Sequence, residues 1–156
     1  MNILGRSAIR AALVAGLMSV AMTASAQQAP ADVISARQAA MKTLGGEMKA
    51  IGDAAKAGSI TKDDALARSR KLNDIANQMN SWFPRGSGSE SGVKTAASPA
   101  IWEKPADFKA AIDRLAQETA KLVAAADTGQ AAAIATQHAE VGKSCGGCHQ
   151  PFRVRQ

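Results

Sequence analysis

The chain has 156 residues, 46% of them apolar and only 3% aromatic, with a formal net charge of +6. That length suits one core and one domain. The basic excess is mild, and no Lys/Arg run is interleaved with aromatics, which argues against nucleic acid as a partner.

The N-terminus carries the first signal. Arg6 and Arg10 precede an uncharged apolar run from Ala11 to Ala24, and Ala24-Ser25-Ala26 reads as a small-residue cleavage site. This is the pattern of a secretory signal peptide over residues 1–26, cleaved near Ala26. As a membrane anchor the run falls short of the ~20 apolar residues a span needs, so stable membrane insertion is not expected. Removing Arg6 and Arg10 and no acid lowers the charge from +6 to +4. The mature chain is then residues 27–156.

Alanine is abundant, and Gly and Pro fall between periodic segments, so four amphipathic helices are expected. The first runs from about Ala31 to Ala57 with the stripe Ile34, Arg37, Met41, Leu44, Met48, Ile51 and Ala55. Steps alternating three and four mark a bundle seam. Thr61 with Asp64 resembles a capping box and opens a second helix to about Ser81. Its stripe is Ala65, Ser69, Leu72, Ala76, Met79 and Phe83. A long loop follows from Pro84 towards Pro105, open to partial mobility by its length. The third helix starts at Pro105 and carries Phe108, Ile112, Leu115, Thr119, Leu122 and Ala126. The fourth starts near Gln130 with Ile134, His138, Val141, Cys145, Cys148 and Phe152. Gly142, Gly146 and Gly147 are poor helix residues, and their cluster suggests close approach of a ligand or a neighbouring helix. Short connections between helices one and two and between three and four predict an all-α, antiparallel up-down-up-down four-helix bundle.

The fourth helix ends in Cys145-Gly146-Gly147-Cys148-His149, which holds both cysteines of the chain. Cys-x-x-Cys-His is the attachment signature of a c-type haem. Two thiols add to the two vinyl groups of one porphyrin, and the next residue binds iron through an imidazole nitrogen. Zinc would need four ligands, and the only further His or Cys, His138, lies more than ten residues before His149 on the same helix, too far to close such a site. A redox dithiol of the thioredoxin kind would follow a strand, and none is expected here. Export and haem attachment agree: an exported Cys-x-x-Cys without haem would tend to oxidise.

In the antiparallel bundle, His149 faces the early turns of helix one and the last turns of helix two. The residues after His149 include no Met or His, so a second iron ligand must come from earlier in the chain. Met48 is expected to lie too far up helix one, and His138 is more than ten residues before His149 on the same helix. Met41 and Met79 both remain. Methionine on a stripe is also ordinary core filler. Arg37, one turn before Met41, is costly on an apolar face unless paired. A haem propionate would pair it bidentately; at a frayed stripe edge it would instead reach water.

The combination of Arg37-Gln38-Ala39-Ala40-Met41, Phe83-Pro84-Arg85-Gly86, Ala100-Ile101-Trp102 with Phe108, and Val141-Gly142 leading to the haem motif and Phe152-Arg153 resembles the class II cytochromes c. These are cytochrome c′ and its low-spin, methionine-ligated relatives, and the resemblance covers the whole mature chain. It implies one covalent haem c, with Cys145 and Cys148 as thioether residues and His149 as the proximal iron ligand. It places Arg37 near a propionate, Met41 at the distal face and Arg153 at a proximal basic position, with Pro151 set to tilt that end. In the low-spin branch Met41 would bind iron as a second ligand; in cytochrome c′ it would only shield an open face. His138 falls where relatives carry an apolar residue, and a half-buried, hydrogen-bonded histidine is expected there.

The resemblance implies a periplasmic protein and offers three functions. A one-electron carrier with His149/Met41 ligation leads, since that ligation raises the potential and needs no acid–base pair. The alternative is a five-coordinate iron that takes a small gas ligand, nitric oxide or carbon monoxide. An enzyme such as a peroxidase is not expected, because helix one offers only Met41 and small residues near the iron. The implied partner is a redox protein; a mild positive charge suits an acidic one, or more simply an ordinary solvated surface. The family also implies a homodimer as one possible state, although the outer helix faces show no clear apolar patch.

Overall fold

The computed structural model describes residues 28–155, so the signal-peptide reading lies outside the described residues. Helix α1 spans Pro30–Lys56, α2 Lys62–Gln78, α3 Ala100–Glu103, α4 Pro105–Asp127 and α5 Ala131–Phe152. The expected bundle is α1, α2, α4 and α5; α3 is a single extra turn. No described helix is long and apolar enough to cross a membrane.

Local chemistry accounts for the ends. Pro30 and Pro105 open α1 and α4, where a missing N–H costs nothing. Gly58 closes α1 at φ 66°, and the Ser59 N–H reaches back to the Ala54 carbonyl at 3.0 Å. The Thr61 hydroxyl accepts the Asp64 N–H at 3.3 Å. Only that half of the box forms, because the Asp64 carboxylate turns to Arg68 Nε at 2.9 Å. The second helix tightens at Met79–Trp82 into a 3-10 turn.

The stripes become the core. Ile51, Leu72, Leu122, Ala126, Ile134 and Val141 are each at most 1% exposed. Each buried Leu, Ile or Val contributes roughly 1.5–3 kcal/mol. Helix α4 packs along α2 and α5 over most of its length, whereas α1 touches α2 and α5 over shorter stretches. The glycines near the motif are not close-approach points between helices: a Cβ on Gly142, Gly146 or Gly147 would meet no other atom within 4 Å. The close approach is at Gly52. The His138 ring packs there, and its Nε2 donates to the Met48 carbonyl at 2.8 Å. His138 is therefore half-buried and satisfied, as expected.

The long loop is tied down at named points. Arg37, 4% exposed, donates through Nη1 to the Trp82 carbonyl (3.2 Å) and Ser87 Oγ (3.1 Å). Its Nη2 donates to the Ser87 carbonyl and Thr95 Oγ1, both at 2.9 Å. The guanidinium also lies 4.6 Å from the centre of the Phe83 ring. Further along the loop, Ala97 forms an antiparallel bridge with Arg153. Val154 donates to the Ala96 carbonyl at 2.9 Å and Ser98 to the Phe152 carbonyl at 3.0 Å.

Two stability predictions follow from these contacts. An Ala at Gly52 gains about 1 kcal/mol of helix propensity. Its Cβ, however, would sit 3.0 Å from a His138 ring carbon that a hydrogen bond holds in place. Overpacking of that kind costs about 1–3 kcal/mol, so Gly52→Ala should destabilise, and Gly52→Ala in a His138→Ala background should stabilise. Urea denaturation of the four proteins checks both signs. Arg37→Leu strands the Trp82 and Ser87 carbonyls and should cost about 2–4 kcal/mol in the same assay. Arg37→Lys should recover only part, because an ammonium cannot reproduce the fork.

Candidate haem site

Cys145, Cys148 and His149 lie at spacings of three and four on α5, so they share one helix face. That face lines a cavity of about 610 Å³. Both thiols are half-buried. Burial raises the Cys145 thiol above its ordinary pKa and pushes Cys148 up to about 11, with the neighbouring Cys145 adding to the second. Burial and the Arg153 cation both lower His149, so its imidazole is held neutral with a lone pair free for a metal.

The rest of the wall comes from three directions. Helix α1 contributes Arg37, Met41, Leu44, Gly45 and Met48. Leu72 comes from α2 and Met79 from the turn that follows it, and Phe108 and Leu115 from α4. The loop closes one side with Phe83 and Thr95–Ala97. Phe83, Phe108 and Phe152 stack edge to face, with centroids 4.8 and 5.0 Å apart.

The antiparallel layout brings the motif to the early turns of α1 and the end of α2, as expected, and Met41 and Met79 both reach the wall. Met79 is 2% exposed and belongs to the core, whereas Met41 is half-buried. Met48, expected to lie too far up helix one to bind iron, also lines the cavity. From Arg37 to Met48 the wall runs roughly 16 Å along α1 at 1.5 Å per residue. Gly45 and Gly142, lacking side chains, leave room for that length. His138 is not on the wall. Arg153 is, so Pro151 inside the last turn of α5 does not carry it away. The Thr95–Ala97 wall was missed in the sequence, since nothing local marks three small residues in a loop as part of a site.

The residues fit haem c. The donor set is one neutral imidazole, two thiols and soft thioether sulfurs around a mostly apolar wall, within the usual size range of cofactor sites.

Comparisons with known proteins agree. Residues 32–153 match the family model described as "Cytochrome C'". The cytochrome c′ of Rhodospirillum rubrum is 30% identical over 147 residues, covering 93% of this chain and 98% of that protein. Cytochrome c-556 of Agrobacterium fabrum is 35% identical over 123 residues, covering 77% and 80%. The crystal structure of cytochrome c′ from Thermochromatium tepidum superposes with a TM-score of 0.77 at 30% identity, covering 83% of this chain and all of that one. A four-helix bundle with this cavity, this motif and these relatives belongs to the cytochrome c′ family of class II cytochromes c, which bind one covalent haem c.

Proposed function

We propose that this chain is a periplasmic one-electron carrier, with its haem attached through Cys145 and Cys148 and its iron held by His149 and Met41. The observation that carries the reading is Met41, a half-buried thioether on the same cavity wall as His149 but on the other helix. The export pattern of residues 1–26 supports the compartment.

When bound, haem c supplies the Fe(III)/Fe(II) couple, whose potential histidine–methionine ligation raises. The chain does the rest. His149 offers a neutral nitrogen, and Met41 a soft sulfur. Leu44, Leu72, Ile101 and Phe108 line the cavity and would keep water from a bound haem. Arg37 spends four of its five N–H groups on the loop, so the bidentate propionate pairing expected of it is not open; with no acid partner among the described residues it would act on a propionate through its charge and the remaining Nε–H. Arg153 lines the same cavity and would place a second cation near a bound haem. This arrangement carries electrons without any acid–base pair.

A second reading has the relatives' names behind it. The family model and the Rhodospirillum relative both carry the name cytochrome c′, and the resemblance implies that in that branch the distal residue only shields an iron open to a small gas such as nitric oxide or carbon monoxide. The two readings differ only in whether the Met41 sulfur bonds the iron.

The optical spectrum separates them. The carrier should be low-spin in both oxidation states, with a weak sulfur-to-iron band at the red end of the ferric spectrum. Met41→Ala should turn the iron high-spin and let the reduced protein take up carbon monoxide, while Met48→Ala should leave the spectrum low-spin. A high-spin unmodified protein that binds carbon monoxide readily would transfer the assignment to gas binding. Haem attachment is checked separately: acid acetone should leave haem on the unmodified protein and remove it from the Cys145→Ala/Cys148→Ala variant.

A further inference from the structure

The charge of the molecule is concentrated at one place. Residues 28–155 hold 17 Lys and Arg against 13 Asp and Glu, a balance of +4. Five of those cations gather at the cavity. Arg37, Lys42 and Arg153 line it, and no acid does. Lys94 is held beside it, because its carbonyl accepts Gln38 Nε2 at 3.1 Å and Gln38 lines the cavity. Arg155 follows Val154, whose N–H pairs with Ala96 on the wall, so the bridge register sets Arg155 next to Thr95. Taking these five away leaves 12 cations against 13 acids, so the rest of the surface is close to neutral.

Local acids do not cancel the cluster. None of the ion pairs among the described residues involves any of the five. Glu90, in the same loop, turns back to accept the Gly88 N–H at 3.1 Å. Asp32 sits in the first turn of α1, where it offsets the helix dipole. Two haem propionates would neutralise at most two of the five. Arg37 is buried and only adds to the field, whereas Lys42, Lys94, Arg153 and Arg155 are exposed. Val154, between the two arginines, is 47% exposed and is the exposed large hydrophobic among the described residues. Exposed cations without acid partners suit an electrostatically steered contact.

We infer that the Lys42–Lys94–Arg153–Arg155 face is where electrons enter and leave, and that its partner is a redox protein presenting an acidic face. The inference rests on the carrier reading and adds the surface and the charge of the partner. Opposite charge there would raise the encounter rate and orient the partner towards the cavity mouth, an effect that fades with salt.

The test is stopped-flow oxidation of the reduced holoprotein by ferricyanide, an anion, and by tris(phenanthroline)cobalt(III), a cation, across ionic strength. Lys94→Glu/Arg155→Glu should slow ferricyanide roughly tenfold at low salt, speed the cobalt complex, and converge with the unmodified protein at high salt. Two lysines at the far end of α1 and on α4, changed together as Lys56→Glu/Lys121→Glu, alter net charge equally and should change the rates far less. A short polyglutamate peptide should inhibit the ferricyanide reaction of the unmodified protein and not of the Lys94→Glu/Arg155→Glu variant. Equal effects of the two double variants would overturn the proposal. So would sedimentation with phosphatidylglycerol vesicles combined with no effect of polyglutamate, which would assign the face to a membrane surface. Spin state is recorded on every sample. Failure of the carrier reading appears there as a high-spin, carbon-monoxide-binding iron, whereas failure of the docking face appears only in the rates.

Discussion

Burying the Arg37 guanidinium is the constraint around which the haem end is arranged. An arginine on an apolar helix face costs several kcal/mol unless its donors are satisfied. Here the acceptors are two carbonyls and two hydroxyls from Trp82, Ser87 and Thr95, with the Phe83 ring against the guanidinium. Satisfying the charge therefore orders the connection between α2 and α3. That ordered connection presents Ala96–Ser98 to the residues just after His149. One side chain on α1 thus helps set the position of the histidine on α5.

The same arrangement explains why the bundle can be open without falling apart. Helix α4 packs along both α2 and α5, and this three-helix unit supplies most of the continuous core. Helix α1 stands off where Gly45 and Gly142 line the cavity, and closes again towards Ile51, where His138 sits against Gly52 and holds the Met48 carbonyl. The cavity lies between these two anchors, the Arg37 fork at one end and the His138 contact at the other. Its depth is set by where they fall along α1.

Electrostatics divides the molecule in the same way. Ion pairs along the helices, such as Lys49 with Asp53 and Lys109 with Asp113, are exposed i,i+4 contacts that solvent screens, so each adds little to stability. They solvate the bundle without shaping it. The cations at the cavity mouth have no such partners, and their charge is available to propionates and to whatever docks there.

Much of this was legible in the sequence because it is periodic or local. The three-and-four stripes identify the buried faces of α1, α2, α4 and α5, and Cys145, Cys148 and His149 share a helix face by spacing alone. Short connections determine the antiparallel order, which puts the motif opposite the start of α1. The tertiary structure decided the rest, because it depends on distance between segments far apart in the chain. A stripe says which face a residue occupies and not how deep a gap beside it runs, so the stripe alone did not show that the cavity extends to Met48. The partners of Arg37 lie 45 to 58 residues away, and no local pattern marks them. The pairing of Ala97 with Arg153, and with it the gathering of Lys94 and Arg155, arises only once the loop has folded onto the end of α5.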